Sequence, residues 1–397
     1  MNIEQMKRII NRTMDTNKIL TDKGDTKHAI NFVGAAGLGK TNSVMQVAEE
    51  RGCQCISLVL SQLEEVGDLT GLPITLYKVI SPEGKETEVA DKLVPSLIQA
   101  GYTLCTNCAP ITSNAKPSWV PEDNGQECIL FLDDFTRCGR QFLQAIMQLL
   151  QFGSFATWSL PKYCTIILSS NPEGGLYEVA DMDPALKSRM INFAVDFDVK
   201  IWSKWADSKK KPSSLINFAL WKPDIFDDPN HIINARSYTM FMDALTGYQL
   251  DKSDLSDVIL FASGIFGENQ GITRELQLFL DMRLDRLPEA EEIVKGPWKE
   301  VEKKLSDILY EGDNYRTDIA TLLVIRLNNY LSEYFNEKNT KNKGSIIEKR
   351  LIELLDTKKP LLQENGLLEI VQTILVKYSQ KCPNLLMNPK VRSKIIM

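Results

Sequence analysis

Residues 29–41, Ala29-Ile30-Asn31-Phe32-Val33-Gly34-Ala35-Ala36-Gly37-Leu38-Gly39-Lys40-Thr41, decide how the chain folds. An apolar run ends in a glycine-rich turn of the form G-x-x-x-x-G-K-[ST], and Asn42 to Arg51 then reads as a helix. Strand, glycine loop and helix are the context in which this pattern cradles phosphate. Gly34, Gly37 and Gly39 let the backbone curl until successive N–H groups point inward. Ala35, Ala36 and Leu38 supply further N–H groups of the same cradle. The helix that follows adds its positive end. Lys40 is placed to reach β- and γ-phosphates, and the Thr41 hydroxyl to ligate Mg²⁺.

Working outward, Cys128-Ile129-Leu130-Phe131-Leu132 reads as a buried strand ending in Asp133-Asp134. Alone, two such carboxylates serve equally well as caps for the next helix. Downstream of a phosphate loop, Asp133 is assigned to the metal and Asp134 to the attacking water. A second β-branched run, Cys164 to Ser170, ends in Asn171-Pro172. Asn171 can hydrogen-bond a water or a γ-phosphate, although Asn-Pro after a strand is by itself most often a turn. Arg189 closes a short helix before a further strand, Ile191 to Phe197, and by itself is equally a solvated helix-end residue.

The order of these segments, with Asn234-Ala235-Arg236-Ser237 after them, resembles the AAA+ family and more narrowly its MoxR-like, dynein-related branch. The resemblance covers about residues 28 to 280. It implies a Walker A at Gly34–Thr41, a Walker B at Ile129–Asp134 and a sensor 1 at Asn171. It also implies an arginine finger at Arg189 that enters a neighbouring subunit, and a sensor 2 at Arg236. Glu64 to Pro73 looks like the branch's Asp-Leu-x-Gly segment. Two departures stand out: Asp134 replaces the usual Glu, and Asn-Ala-Arg replaces Ser-Pro-Arg. Both make nucleotide binding a safer expectation than fast hydrolysis.

The fold class expected is α/β: a three-layer αβα P-loop core with a parallel sheet, then an α-helical lid and an α-helical C-terminal region. The expected boundaries are a helical lead over 1–27, the core over 28–200 with an insert at about 74–125, the lid over 201–295, and an extension over 296–397. Within the insert, Ile74–Ile80 and Glu86–Leu93 flank a Ser81–Lys85 turn and read as a hairpin. Phe152 to Tyr163 carries a second candidate insert in which Trp158 reads as a buried aromatic rather than a partner contact.

With 397 residues, 43% hydrophobic and 25% charged, the chain can bury two or three domains. Its net charge of -6 disfavours, without removing, a nucleic-acid surface. No apolar stretch is long enough to span a membrane, and the N-terminus lacks a secretory signal's apolar middle, so a cytoplasmic protein is expected. Its eight cysteines, including Cys105-x-x-Cys108, read as ordinary reduced thiols. With only two histidines, a zinc site or a histidine-dependent nucleophile is not expected. The resemblance implies an ATPase using ATP and Mg²⁺, assembled as a homo-oligomeric, hexameric ring, that remodels a protein client beside a von Willebrand factor A-type partner. A nucleic-acid motor and an ATP-dependent scaffold with little hydrolysis stay open as alternatives.

Overall fold

The computed structural model describes residues 1–397 apart from 156, 174–181, 229–231, 246–254, 268–269, 282–286, 313, 337–342, 356–360, 362–363, 379, 381, 388, 390 and 393–397. His231 is among the residues outside this description. The chain forms two compact units, Met1–Asp196 and Phe197–Met397.

The first unit opens with α1 (Ile3–Lys23), started by an Asn2–Gln5 capping box and ended at Gly24. Next come β1 (Ala29–Val33), α2 (Lys40–Arg51), β2 (Gln54–Val59), α3 (Val66–Thr70), β3 (Pro73–Ile80), β4 (Glu86–Ala90), α4 (Val94–Gln99), β5 (Thr103–Leu104) and β6 (Ile111–Asn114). They are followed by β7 (Cys128–Asp133), α5 (Arg140–Phe152), β8 (Ser154–Phe155), β9 (Trp158–Ser159), β10 (Cys164–Ser170), α6 (Pro184–Lys187) and β11 (Met190–Ala194). Five strands form a parallel sheet in the order β11-β1-β10-β7-β2.

The sequence of β7 explains the layering. Successive side chains of a strand point to opposite faces, so a strand covered on both sides reads as a continuous apolar run. Ile129 and Phe131 pack with Met6, Ile10 and Met14 of α1 and with Val44 and Val47 of α2. Leu130 and Leu132 pack on the other face with Phe142, Ile146 and Leu149 of α5 and with Leu186 of α6. Burying each of these larger side chains contributes roughly 1.5–3 kcal/mol. The first unit is therefore a three-layer αβα P-loop core. Asn17, buried on α1, donates to the His28 carbonyl (2.9 Å) and to Thr165 Oγ1 (3.2 Å) and accepts from the His28 N–H (2.8 Å). The lead helix is thus sewn onto the sheet.

Between β2 and β7 the chain builds a separate four-stranded sheet. The β3–β4 hairpin pairs Leu76 with Ala90 through Ile80 with Glu86. Along the other edge of β3, β6 covers Pro73–Leu76 and β5 covers Val79–Ile80. The loop joining these two pieces carries a correction to the reading of all cysteines as thiols: Cys105 and Cys108 form a disulfide. The Cys105 N–H is fixed on the Lys78 carbonyl (3.0 Å), and the turn back of Cys108 N–H onto the Cys105 carbonyl (3.4 Å) brings the two Cα atoms to 5.5 Å. The other six cysteines are free.

This insert is anchored where α3 ends. Trp158 Nε1 donates to the Thr70 carbonyl (2.9 Å), Trp119 Nε1 to the Asp68 carbonyl (3.1 Å) and Asn114 Nδ2 to the Gly71 carbonyl (3.1 Å). The two indoles meet edge to face at 5.5 Å, and Trp158 is buried. Gly71 sits at φ +91°, where a Cβ would lie 1.9 Å from the Ala115 carbonyl oxygen.

The second unit is helical among its described residues, running from α7 (Val199–Ser208) and α8 (Ser213–Trp221) through α9 (Ala235–Ala244) to a last helix at Glu364–Tyr378, with one short strand pair at Tyr310–Glu311 and Asn314–Tyr315. Its apolar residues form one cluster, to which Phe241, Val294, Val301, Leu323 and Ile374 all belong. A buried Arg326 pairs with Asp207 (3.2 Å) and Glu289 (3.1 Å); burial nevertheless pushes the Asp207 carboxyl above its usual range. No helix of the described residues is long and apolar enough to cross a membrane.

Gly71→Ala is expected to destabilise the first unit by about 2 kcal/mol or more, through both the clash and the left-handed backbone. Urea unfolding checks it, followed by tryptophan fluorescence in a background where Trp202, Trp205, Trp221 and Trp298 are replaced by Phe, so that Trp119 and Trp158 of the first unit report; an unchanged midpoint would contradict the packing described.

Candidate nucleotide site

The glycine loop leaves β1 between two flanking strands. The Gly34 N–H donates to the Ser170 carbonyl of β10 (3.1 Å), and the Val195 N–H donates to the Val33 carbonyl (2.7 Å). A Cβ on Gly34 would stand 2.6 Å from the Val195 carbonyl oxygen, so this first glycine is needed for close approach. Gly37 and Gly39 are the positions with left-handed backbone, at φ +80° and +92°. Ala35, Ala36 and Leu38 complete the turn, half-buried. The Gly39 carbonyl accepts from both the N–H and the hydroxyl of Ser43 (3.0 and 2.8 Å), which starts α2 immediately behind the loop.

Lys40 is only 7% exposed. A buried ammonium requires polar partners, and Nζ donates to the carbonyls of Gly34 (2.6 Å) and Ala35 (2.9 Å). The cation is thereby held across the mouth of the loop. Beside it, Asp133 at the end of β7 accepts from Thr41 Oγ1 on one oxygen (2.7 Å) and from Ser169 Oγ on the other (2.7 Å). Thr41 and Asp133 present hard oxygen donors, the type Mg²⁺ takes together with phosphate oxygens. Among the described residues, no group of three or more His, Cys, Asp or Glu side chains is arranged to hold a metal. A site with one carboxylate and one hydroxyl fits an ion that keeps waters and binds through phosphate.

Asp134 adopts a left-handed backbone, φ +52° and ψ +36°, which is uncommon for a residue with a Cβ. Its carboxylate is held on both sides. Asn171 Nδ2 donates to one oxygen (2.7 Å), and Arg137 Nε lies 3.3 Å from the other. Asn171 itself is buried. Thus Lys40, Thr41, Asp133, Asp134 and Asn171, from three separate segments, meet at the C-terminal end of the sheet. Ser169 and Arg137 belong to the cluster without having been anticipated. Ser169 stands near the end of β10, two residues before Asn171, which follows the strand directly, and that spacing was a usable signal.

Arg189 stands outside this cluster, and Arg236 belongs to the second unit. Arg189, one residue beyond the α6 C-cap, donates to the Ala185 carbonyl (2.6 Å) and, through Nε and Nη2, to Gln151 Oε1 (3.2 and 3.0 Å). Arg236 lies exposed in the first turn of α9, in the second unit. That turn is capped by Asn234, whose side chain accepts from the Arg236 and Ser237 N–H groups (2.9 and 3.1 Å).

A glycine loop with a buried lysine, at the end of a parallel sheet covered by helices on both faces, defines a P-loop αβα protein. No family model and no curated protein matches the chain. Among solved structures it is similar to a RuvB mutant of Thermotoga maritima, at 13% identity over 90% of this chain and 91% of that one, with a TM-score of 0.35. It is also similar to T. maritima RuvB described as a Holliday junction branch migration motor, at 14% identity over 89% and 90% of the two chains, with a TM-score of 0.34.

Proposed function

We propose that the chain is an AAA+ ATPase of the MoxR-like type, which binds ATP with Mg²⁺ in a ring of identical subunits and hydrolyses it to remodel or assemble a protein partner. The observation that carries this reading is the meeting of Thr41, Asp133 and Ser169 beside a loop closed by Lys40, with Asn171 bonded to Asp134. The loop N–H groups and Lys40 hold the phosphates. Thr41 and Asp133 would hold Mg²⁺, which would supply charge neutralisation at the phosphates. Asp134 orients the attacking water, and Asn171 aligns that carboxylate. Arg189 serves the neighbouring subunit's site, where an arginine supplied in trans can raise turnover by roughly 10³–10⁵. It donates there to neutral oxygens, Gln151 Oε1 and the Ala185 carbonyl, which the guanidinium can exchange for charged phosphate oxygens. Arg236 acts as the sensor of the helical lid, and a von Willebrand factor A-type protein is the class of partner the reading favours.

A second reading draws on a specific contact. The Asp134 carboxylate, one methylene shorter than the usual Glu, is bonded to Asn171 and paired with Arg137. A carboxylate held this way supports a nucleotide-controlled scaffold that turns over slowly.

Lys40→Ala is expected to weaken ATP binding about 30-fold or more, as loss of charge-assisted hydrogen bonds implies. Titration with a fluorescent ATP analogue measures this, and an unchanged affinity would end the site assignment. Arg189→Ala is expected to keep ATP affinity within about twofold while turnover falls by roughly 10³. Specific activity measured across protein concentrations provides the companion test: a rate that climbs with concentration supports assembly-dependent hydrolysis, and bound ATP without turnover at every concentration supports the scaffold.

A further inference from the structure

Asn31 lies in the middle of β1, with no solvent exposure, in a strand whose other residues are apolar. A buried amide is unfavourable unless its hydrogen bonds are made. Here they are made sideways, across the sheet. Ser170 Oγ of β10 donates to Asn31 Oδ1 (3.3 Å), and Asn31 Nδ2 donates to Asn192 Oδ1 of β11 (2.9 Å). Asn192, directly opposite Asn31 in the parallel register, then donates through Nδ2 to the carbonyls of Lys187 (3.2 Å) and Met190 (3.3 Å).

The ends of this row are what give it meaning. It starts on Ser170, the residue before Asn171, whose amide holds Asp134. It finishes on Lys187, the last residue of α6 and two residues before Arg189. Backbone pairing already joins β1 to both neighbours, and apolar side chains would fill a covered strand at no polar cost. The amide row adds a directional link between the sensing end of β10 and the turn that carries the arginine. On the solvent side, Glu173 pairs with Lys187 Nζ (2.8 Å), so the same helix end is tethered twice.

We propose that Asn31 and Asn192 are positioning residues that transmit the state of Ser170–Asn171 to Arg189, setting the reach of the arginine according to whether nucleotide is bound. This rests on the reading of Gly34–Thr41 as the ATP site and of Arg189 as the residue supplied to a neighbour. Hydrogen-bond networks of this kind carry couplings that correspond to about 2- to 30-fold in an equilibrium or rate.

The test uses the full chain in three forms: wild type, Asn192→Ala, and the double variant Asn31→Leu/Asn192→Leu. The double variant removes both partners and so avoids stranding one buried amide. Hydrogen exchange is followed with and without ATP and Mg²⁺, and kcat and KM are measured alone and in an Arg189→Ala background. Protection of 34–41 by ATP is expected in all three forms. Protection of 184–192 is expected in wild type and weakened in both variants, with kcat lowered about 2- to 30-fold at unchanged KM and no further loss once Arg189 is gone. Full protection of 184–192 in the variants, or losses that multiply with Arg189→Ala, would overturn the relay. Absence of ATP protection at 34–41 in wild type would instead overturn the nucleotide site itself, and the relay with it.

Discussion

Everything in the first unit converges on the carboxylate of Asp133. Its two oxygens accept hydroxyl hydrogens from Thr41, at the start of α2, and from Ser169, near the end of β10. Bonds from a hydroxyl to an ionised oxygen at this length are among the stronger side-chain interactions. They fix three elements, β7, β10 and α2, at one point. The glycine loop spans the gap between β1 and α2, so its curvature follows once both ends are held. The orientation of Lys40, bonded back to the Gly34 and Ala35 carbonyls, then follows from the curvature.

The sheet is divided along its strands by polarity. Toward the N-terminal ends it is mostly apolar, with Ile30, Ile129, Leu130 and Ile166 facing helices and Thr165 bonded to Asn17. From Asn31 in the middle of β1 to Asp133, Ser169, Ser170 and Asn171 at the C-terminal ends it carries polar side chains, all but one of them buried. Such groups are tolerated inside only when paired, and each finds a partner in an adjacent strand or in the loop. Core packing thus supplies rigidity at one end of the sheet, while side-chain hydrogen bonds supply specificity at the other. Parallel strands make this possible, because all of their C-terminal ends point the same way.

The αβα core was legible because its signals are local and periodic. The covered strands Cys128–Leu132 and Cys164–Ser170, the glycine loop and the β3–β4 hairpin could each be read from a short window. Asp133, Asp134 and Asn171 were found by the same means, since each terminates an apolar run. What escaped depends on distant partners. Arg137 is unremarkable in sequence and gains its place only because Asp134 turns left-handed. The amide row of Asn31 and Asn192 joins residues 161 positions apart. The Cys105–Cys108 bond depends on where Lys78 leaves its carbonyl, whereas compartment-level reasoning about thiols averages over such detail.

The short acid at position 134 shows how backbone and side chain share one task. A left-handed residue with a Cβ is strained by about 1–3 kcal/mol, so something must hold it. Phe135, fully buried beside it, anchors the turn on the core side. Asn171 and Arg137 grip the carboxylate on the outer side. Aspartate has one rotatable bond fewer than glutamate, so its carboxylate position is set mainly by the backbone and is less free to wander. What is lost in reach is recovered as fixed orientation. The same fixity makes Asn171 sensitive to any displacement of Asp134, and Asn171 is the residue next to the amide row that leads to the edge of the sheet.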